Sequence, residues 1–101
     1  MSKKIDYTIS DKADEEIESI YLRIAEFNRQ SANNLVEKFV YIFETLTIFP
    51  FLGRSKPEFT NKDCLWINIE GYWVAYKYKK NNIEILRVLS SYMDIPNRFN
   101  N

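Results

Sequence analysis

Residues 65–89 read LWINIEGYWVAYKYKKNNIEILRVL and contain three apolar runs separated by two polar breaks. The first run, Leu65–Ile69, alternates apolar and polar residues, and a period of two is typical of a half-buried strand. Glu70-Gly71 predicts a tight reversal into a second strand, Tyr72–Tyr78. Asparagine tolerates the left-handed conformation, so Asn81-Asn82 predicts a second turn, followed by a third strand from Ile83 to Leu89. These residues therefore predict an antiparallel three-stranded meander.

The last predicted strand carries apolar side chains on both of its faces. Strict alternation places Leu86 and Val88 on one face. The other face then holds Ile83, Ile85, Arg87 and Leu89. A pair of helices can cover only one side of such a sheet. The other side is expected to be either shielded by the C-terminal tail or free to dock a partner.

Ahead of the meander, the sequence predicts one strand and two helices. Residues 5–9 alternate as in a strand, and Ser10 is a good N-cap followed by acidic residues that favour the start of a helix. Apolar residues at helical spacing predict a first helix from Asp11 to Phe27. A second helix is predicted from Gln30 to Phe49, ended by Pro50. Two helices joined so tightly form an antiparallel hairpin.

Together these elements predict an α+β fold: an N-terminal strand, an antiparallel helix hairpin and a three-stranded antiparallel meander in one domain, residues 1–101. A chain of 101 residues, 46% hydrophobic, buries about two-thirds of its unfolded surface. The chain begins MSKKID, without the apolar segment of a signal peptide, and the longest apolar run, Phe39–Phe43, is too short to span a membrane. We expect a cytoplasmic protein in which the one cysteine, Cys64, is an ordinary, partly buried thiol.

The composition excludes several classes of chemistry. The chain has no histidine, so it holds no Ser-His or Cys-His nucleophile pair and no histidine-containing zinc site. Its two glycines, Gly53 and Gly71, are too few for a P-loop or a dinucleotide fingerprint. A formal net charge of zero argues against general nucleic-acid binding. We therefore expect no cofactor, no metal ion and no direct, specific nucleic-acid binding.

Charge is unevenly distributed between the two halves of the chain. Residues 1–49 hold six basic and nine acidic side chains, a balance of −3. Residues 50–101 hold eight basic and five acidic side chains, a balance of +3. Any positive patch is therefore expected in the second half.

Three stretches carry a resemblance to a known family. They are Ile9-Ser10 with Ala13, residues 49–58 (FPFLGRSKPE), and Ile69–Leu89, which contains VAYKY and ends ILRVL. In their order and spacing they resemble the ParE/RelE family of bacterial toxins from toxin–antitoxin pairs, and more closely the ParE branch. The resemblance implies the fold given above, a cognate antitoxin as partner and DNA gyrase as target. It also implies inhibition by binding rather than by catalysis.

The resemblance directs attention to Arg54, Arg87 and Tyr92 as target contacts. Each has a structural alternative. Arg54 follows a glycine in a turn, where it could cap helix carbonyls or pair with a carboxylate. Arg87 lies among apolar strand residues and needs Asp94, another acid, or an exposed position that awaits a ligand, because a buried unpaired charge is costly. Tyr92 could pack at the C-terminus or act as an acid–base group beside a phosphate.

Two other functions stay open. In the RelE branch, toxins are ribosome-dependent mRNA endonucleases, and such enzymes can work without histidine when arginine or lysine stabilises the phosphate and tyrosine moves a proton. That alternative gives catalytic roles to Arg54, Lys56, Arg87 and Tyr92. The other alternative is an inert relative that only binds a partner, since fold alone does not decide function.

One segment departs from the family pattern. Many ParE-like chains follow the last strand with a His-Gly-x-Arg-Asp type of ending, whereas this chain reads Ser90-Ser91-Tyr92-Met93-Asp94. Ser90 and Met93 therefore stand in place of the histidine and the arginine. If those two residues serve toxicity, the chain is expected to be weakened, inactive or directed at another target.

Overall fold

The computed structural model describes residues 5–100 and contains a four-stranded mixed sheet, two long helices and a short C-terminal helix. The elements are β1 (Asp6–Ile9), α1 (Asp11–Ala25), α2 (Arg29–Ile48), β2 (Leu65–Ile69), β3 (Tyr72–Lys79), β4 (Asn82–Ser90) and α3 (Ile95–Asn100). The α+β class, the helix hairpin and the meander are confirmed. The first four residues, on which the expectation of no signal peptide partly rests, lie outside the described part. None of the helices in residues 5–100 has the length and hydrophobicity of a transmembrane segment.

Several element ends differ from their predicted positions. The predicted turn at Asn81-Asn82 is wrong by one residue, because Lys80 and Asn81 form the two-residue loop and Asn82 already pairs with Lys79. Lys80 and Asn81 have φ values of 52° and 60°, the left-handed conformation that matches the twist of a two-residue hairpin. The first helix is also shorter than predicted: it ends at Ala25, because Asn28 is already extended, with φ −160° and ψ 102°, and caps the start of α2.

The sheet has the strand order β1-β4-β3-β2, with β1 parallel to β4 and the other pairs antiparallel. β1 reaches only halfway along β4, ending where Ile9 pairs with Ile85. Ser10 then joins α1 to the same strand. Its hydroxyl accepts from the amide of Ala13 at 3.0 Å, which caps the helix, and donates to the carbonyl of Leu86 at 2.9 Å. One side chain therefore both starts α1 and places it beside β4.

A β-bulge in β4 overturns the strict alternation expected for that strand. Ala75 pairs with Arg87 and Tyr76 pairs with Ile85, so Leu86 is an extra residue. Beyond Leu86 the faces are exchanged, and Val88 joins Ile85 beneath the helices while Leu89 lies with Leu86 on the opposite side. The expectation that Val88 shares a face with Leu86 is therefore wrong. So is the expectation that Ile85 shares a face with Leu89.

The helix hairpin covers one face of the sheet and forms the larger core with it. Phe39 and Phe43 of α2 stack with ring centroids 6.3 Å apart, and Phe39 also meets the ring of Tyr72 edge-on. The buried members of this core are Ala13, Ile20, Phe39, Phe43, Leu46, Ile69, Val74, Tyr76, Ile83, Ile85 and Val88.

The opposite face is shielded rather than open. Residues 56–64 and α3 lie over it, and Trp66 packs between Phe59 and Phe99 with ring centroids 5.0 and 4.9 Å away. Of the two expectations for this face, shielding by the C-terminal tail is the one observed, with help from the loop before β2. The tail was not predicted to be helical. Its second residue, Pro96, is tolerated because the first turn of a helix does not use that amide.

Tyr76 holds the loop that follows α2. Its hydroxyl donates to the carbonyl of Pro50 at 2.9 Å and accepts from the amide of Gly53 at 2.8 Å. A Cβ at Gly53 would lie 2.7 Å from a ring carbon of Tyr76 and 2.8 Å from the carbonyl oxygen of Trp66. Glycine is required at position 53 because the loop backbone packs directly onto the tyrosine ring.

The double role of Ser10 predicts the effect of removing its hydroxyl. Ser10→Ala loses the cap of α1 and the bond to Leu86, and we expect unfolding free energy to fall by about 1–2 kcal/mol. Ser19→Ala, an exposed position on the same helix, is the matched control and is expected to change it by less than about 0.5 kcal/mol. Urea unfolding followed by circular dichroism measures both. Equal effects of the two substitutions would contradict this role for Ser10.

Candidate functional site

Arg87 is bound by a carboxylate from the first helix. Its Nε donates to the two oxygens of Glu16 at 3.1 and 3.0 Å, and its Nη2 donates to Glu16 at 2.7 Å. Its Nη1 donates to the carbonyl of Arg98 in α3 at 3.2 Å. The two paired side chains are only 14% and 17% exposed. Of the alternatives left open by the sequence, an acidic partner is the one observed, and that partner is Glu16 rather than Asp94.

Glu16 also binds a backbone amide at the edge of the sheet. One of its oxygens accepts from the backbone amide of Val88 at 2.9 Å, at a point where β1 no longer pairs with β4. Because that amide faces away from β3, Glu16 lies on the outer side of β4. The sequence indicated only that the start of α1 is rich in acids. It carried no signal that this particular acid meets Arg87.

Arg54 has neither of the two structural roles considered from the sequence, capping of helix carbonyls or pairing with a carboxylate. Its backbone forms a bridge to Trp66, with N–O distances of 2.9 and 2.8 Å in the two directions. Its side chain is exposed, and the guanidinium makes no hydrogen bond or ion pair with any residue from 5 to 100. Neither helix capping nor pairing with a carboxylate is therefore observed. The charge is available to an external partner.

Arg54 and Arg87 lie in one row of the sheet, three strand spacings apart. Arg54 bridges Trp66, Trp66 pairs with Ala75, and Ala75 pairs with Arg87. At about 4.8 Å for each spacing, the two backbones are about 14 Å apart. Arg87 extends toward Glu16 on the outer side of β4, away from Arg54. The two arginines therefore do not converge on a common point.

Lys56 is engaged in local contacts. Its Nζ lies 3.1 Å from the carboxylate of Glu58 and 4.8 Å from the ring centroid of Trp73, a cation–π contact. The carboxylate of Glu58 accepts a hydrogen bond from the backbone amide of Glu58 and another from the Lys56 ammonium. These two bonds, the first being the stronger influence, hold the pKa of Glu58 below its usual value. Lys56 is thus shared between a carboxylate and an aromatic face.

Tyr92 projects into solvent from the turn after β4. Its ring is fully exposed, and its hydroxyl has no hydrogen-bond partner in the described part of the chain. The turn is held by Ser90, whose hydroxyl accepts from the amide of Tyr92 at 3.2 Å and whose carbonyl accepts from the amide of Met93 at 3.0 Å. Packing of Tyr92 at the C-terminus is therefore not observed. Ser90, which stands in place of the family's histidine, shapes the turn that presents this ring.

Arg87 and Tyr92 line two neighbouring depressions that share the lining residues Arg23, Tyr72, Ser90 and Met93. The first, of about 280 Å³, lies between α1, β4 and α3, and its charged lining is Lys12, Glu15, Glu16, Arg23, Arg87 and Arg98. Tyr92 lines the second, together with Glu70 and Met93. Among residues 5–100, no group of three or more His, Cys, Asp or Glu side chains could hold a metal ion. Cys64 is buried, and burial raises the pKa of its thiol, so it is not activated as a nucleophile.

Comparisons with known proteins agree with this architecture. A family model described as the ParE toxin of the type II toxin–antitoxin system parDE matches residues 7–95. The structure is similar to a solved chain titled "Chromosomal ParDE TA system from P. aeruginosa", with a TM-score of 0.71 and 18% sequence identity. That alignment covers 88% of this chain and 98% of the solved one. No curated protein matches the chain.

The different surroundings of the two arginines predict different mutational effects. Arg87→Ala leaves the Glu16 carboxylate partly buried without its cation, and we expect a loss of about 2–4 kcal/mol in unfolding free energy. Arg54→Ala, the matched control, removes an exposed and unpaired charge and is expected to change it by less than about 0.5 kcal/mol. Chemical denaturation of both variants measures the difference. A stable Arg87→Ala protein would show that the ion pair does not hold α1 to β4.

Proposed function

Since the chain belongs to the ParE toxin family of type II toxin–antitoxin systems, we propose that it inhibits DNA gyrase and that a cognate antitoxin holds it inactive. The family match supports a toxin with an antitoxin partner. Gyrase as the target follows from the resemblance to the ParE branch. Both encounters would take place in the cytoplasm, where gyrase acts on DNA.

The observation that carries a binding mechanism, rather than a catalytic one, is the separation of the candidate catalytic groups. General acid–base catalysis and phosphate stabilisation need groups within hydrogen-bond reach of the same reacting atoms. Arg87 is paired with Glu16, Lys56 with Glu58, and Arg54 lies about 14 Å from Arg87 across the sheet. This arrangement counts against the endonuclease alternative, in which all these groups would act on one phosphate.

We propose that Arg54 and Tyr92 contact the target directly. Both side chains are exposed and have no partner for their polar ends within residues 5–100. Arginine and tyrosine are also the residue types that most often dominate binding energy in protein interfaces. Arg87, the third residue indicated by the sequence, would support binding by holding α1 and α3 in place around β4.

The inert alternative is favoured by one specific observation. Ser90 and Met93 stand where many relatives carry a histidine and an arginine, and Ser90 is committed to the local turn. A relative that has lost toxicity would keep the fold and the antitoxin partner. Expression in cells separates this alternative from the proposal.

Expression of the chain alone is expected to arrest growth, because an inhibitor of gyrase blocks replication. Co-expression of the protein encoded by the adjacent reading frame is expected to restore growth, since the partner masks the toxin. Colony counts after induction measure both effects, and circular dichroism of the purified protein establishes that it is folded. Normal growth in the presence of folded protein would support the inert alternative instead.

The purified chain is expected to inhibit supercoiling by purified gyrase and to leave ribosome-bound mRNA intact. Arg54→Ala and Tyr92→Ala are each expected to raise the concentration needed for half-inhibition by about tenfold, because each removes a contact worth more than about 1 kcal/mol. Their melting temperatures should match that of the wild type. Glu26→Gln, at the far end of the helix hairpin, is the control. Cleavage of mRNA on ribosomes with gyrase unaffected would make the endonuclease alternative correct.

A further inference from the structure

Arg23 is an unpaired cation beside the turn that presents Tyr92. It lies in the last turn of α1, is exposed, and makes no ion pair or hydrogen bond with any residue from 5 to 100. Arg23 and Met93 both line the depression at Arg87 and the depression at Tyr92. The fold therefore brings a cation from α1 next to Met93, although the two residues come from opposite ends of the chain.

The depression at Tyr92, of about 470 Å³, presents hydrogen-bond donors that have no acceptor. The hydroxyls of Tyr72 and Tyr92 and the guanidinium of Arg23 make no hydrogen bond within the described part of the chain. Glu70 is the one carboxylate among the described residues that line this depression, and it is already paired with the ammonium of Lys38. Such a site fits a negatively charged acceptor. A carboxylate matches the planar guanidinium because the two groups can form two parallel hydrogen bonds.

The apolar part of the same surface favours a protein partner over a nucleic acid. The ring of Tyr92 is fully exposed, and Met93 is 36% exposed. Tyrosine, methionine and arginine are residue types that are enriched in protein interfaces. Nucleic-acid binding depends instead on several cations that neutralise phosphates. Arg23 is the only lysine or arginine among the described residues that line the depression at Tyr92.

We propose that Arg23 forms an ion pair with a carboxylate on the surface of the target protein that Tyr92 contacts, a proposal that rests on the proposed function. Many ParE-like chains carry an arginine where this chain has Met93. Arg23 brings positive charge to the same depression from α1 instead of from the turn after β4. The departure of the turn from the family pattern is thus offset by a residue on another element.

A purely structural role for Arg23 has different consequences. Cations in the last turn of a helix interact favourably with the helix dipole, and Arg23 occupies that position in α1. Lysine would serve the dipole as well as arginine, because that interaction needs only the charge. A bidentate contact with a carboxylate needs the guanidinium itself. Arg23→Lys therefore keeps the structural role and loses part of the proposed contact.

Titration with a hexaglutamate peptide tests the site without the target. We expect the peptide to shift the NMR signals of the Arg23 side chain, Tyr72 and Tyr92. Arg23→Ala should weaken this binding by about three- to fivefold, as for the loss of one exposed ion pair. Adding Met93→Arg to that variant should recover most of the affinity, because it returns a cation to the same depression. Lys79→Ala, which removes an exposed cation at the other end of β3, is the matched control and should bind as the wild type does.

Three results of this titration would overturn the proposal. The first is a set of shifts confined to other surfaces, and the second is equal affinity of the wild type and Arg23→Ala. The third is tighter binding of a single-stranded hexathymidylate at the same residues, which would assign the depression to a nucleic acid.

Inhibition of gyrase by the same variants tests the contact with the target. Arg23→Ala is expected to raise the half-inhibiting concentration about tenfold, because it removes an arginine from the interface. Arg23→Lys should restore inhibition in part, and Arg23→Ala with Met93→Arg should restore most of it. A melting curve accompanies each variant. Lost inhibition that follows a lower melting temperature, and that Met93→Arg does not restore, would assign Arg23 to the fold and overturn the proposal.

Failure of this contact and failure of the proposed function give different results. Equal inhibition of gyrase by the wild type and Arg23→Ala would overturn the contact and leave the proposed function standing. A wild-type chain that leaves gyrase uninhibited would contradict the proposed function. The hexaglutamate titration would still decide whether Arg23 binds carboxylates, because it does not involve gyrase.

Discussion

The carboxylate of Glu16 joins three elements that are far apart in the sequence. It accepts hydrogen bonds from the guanidinium of Arg87 and from the amide of Val88, and Arg87 in turn donates to the carbonyl of Arg98 in α3. β1 is too short to cover the outer edge of β4, so without Glu16 that edge would expose an unpaired amide beside a partly buried cation. Such groups are costly unless they are satisfied together. The position of α1 along β4 depends on this network.

The bulge in β4 belongs to the same arrangement. The extra residue, Leu86, offsets the strand so that Val88 enters the core under the helices while Arg87 remains free to turn toward α1. A strand with unbroken alternation would place residue 88 on the face opposite Ile85. The bulge is therefore the structural condition for having both a continuous core and a satisfied arginine. As a result Arg87, which the sequence analysis considered as a contact to a target or to a phosphate, is paired within the protein instead.

The outer edge of β4 and the turn after α2 differ in which groups are exposed to solvent. At the outer edge of β4, Arg87 is paired with Glu16, and on the α3 face of the sheet Trp66 is buried. Around the end of α2, the hydroxyl of Tyr76 holds a backbone turn whose apolar side chains face outward. Apolar groups that are exposed and held in one conformation suit recognition of another protein. This contrast is consistent with the proposed binding mechanism.

The sequence by itself determined the elements and their order, because hydrophobic periodicity and turn residues are local properties. The two helices, the three meander strands and the N-cap at Ser10 could all be derived from neighbouring residues. It also indicated Arg54, Arg87 and Tyr92 as residues to examine, but through family resemblance rather than through physical geometry.

Only the tertiary structure decided which of these residues are available. The partner of Arg87 is Glu16, 71 positions away in the chain, and no local pattern encodes a contact at that separation. The offset at Leu86 depends on how β4 meets β3 and α1 together, so alternation alone misplaced Val88. The C-terminal tail became a covering helix because a hydrophobic face of the sheet lay beneath Ile95 and Phe99. Contacts between residues far apart in the sequence leave no pattern among neighbouring residues. For that reason only the folded structure shows which surfaces remain exposed to solvent.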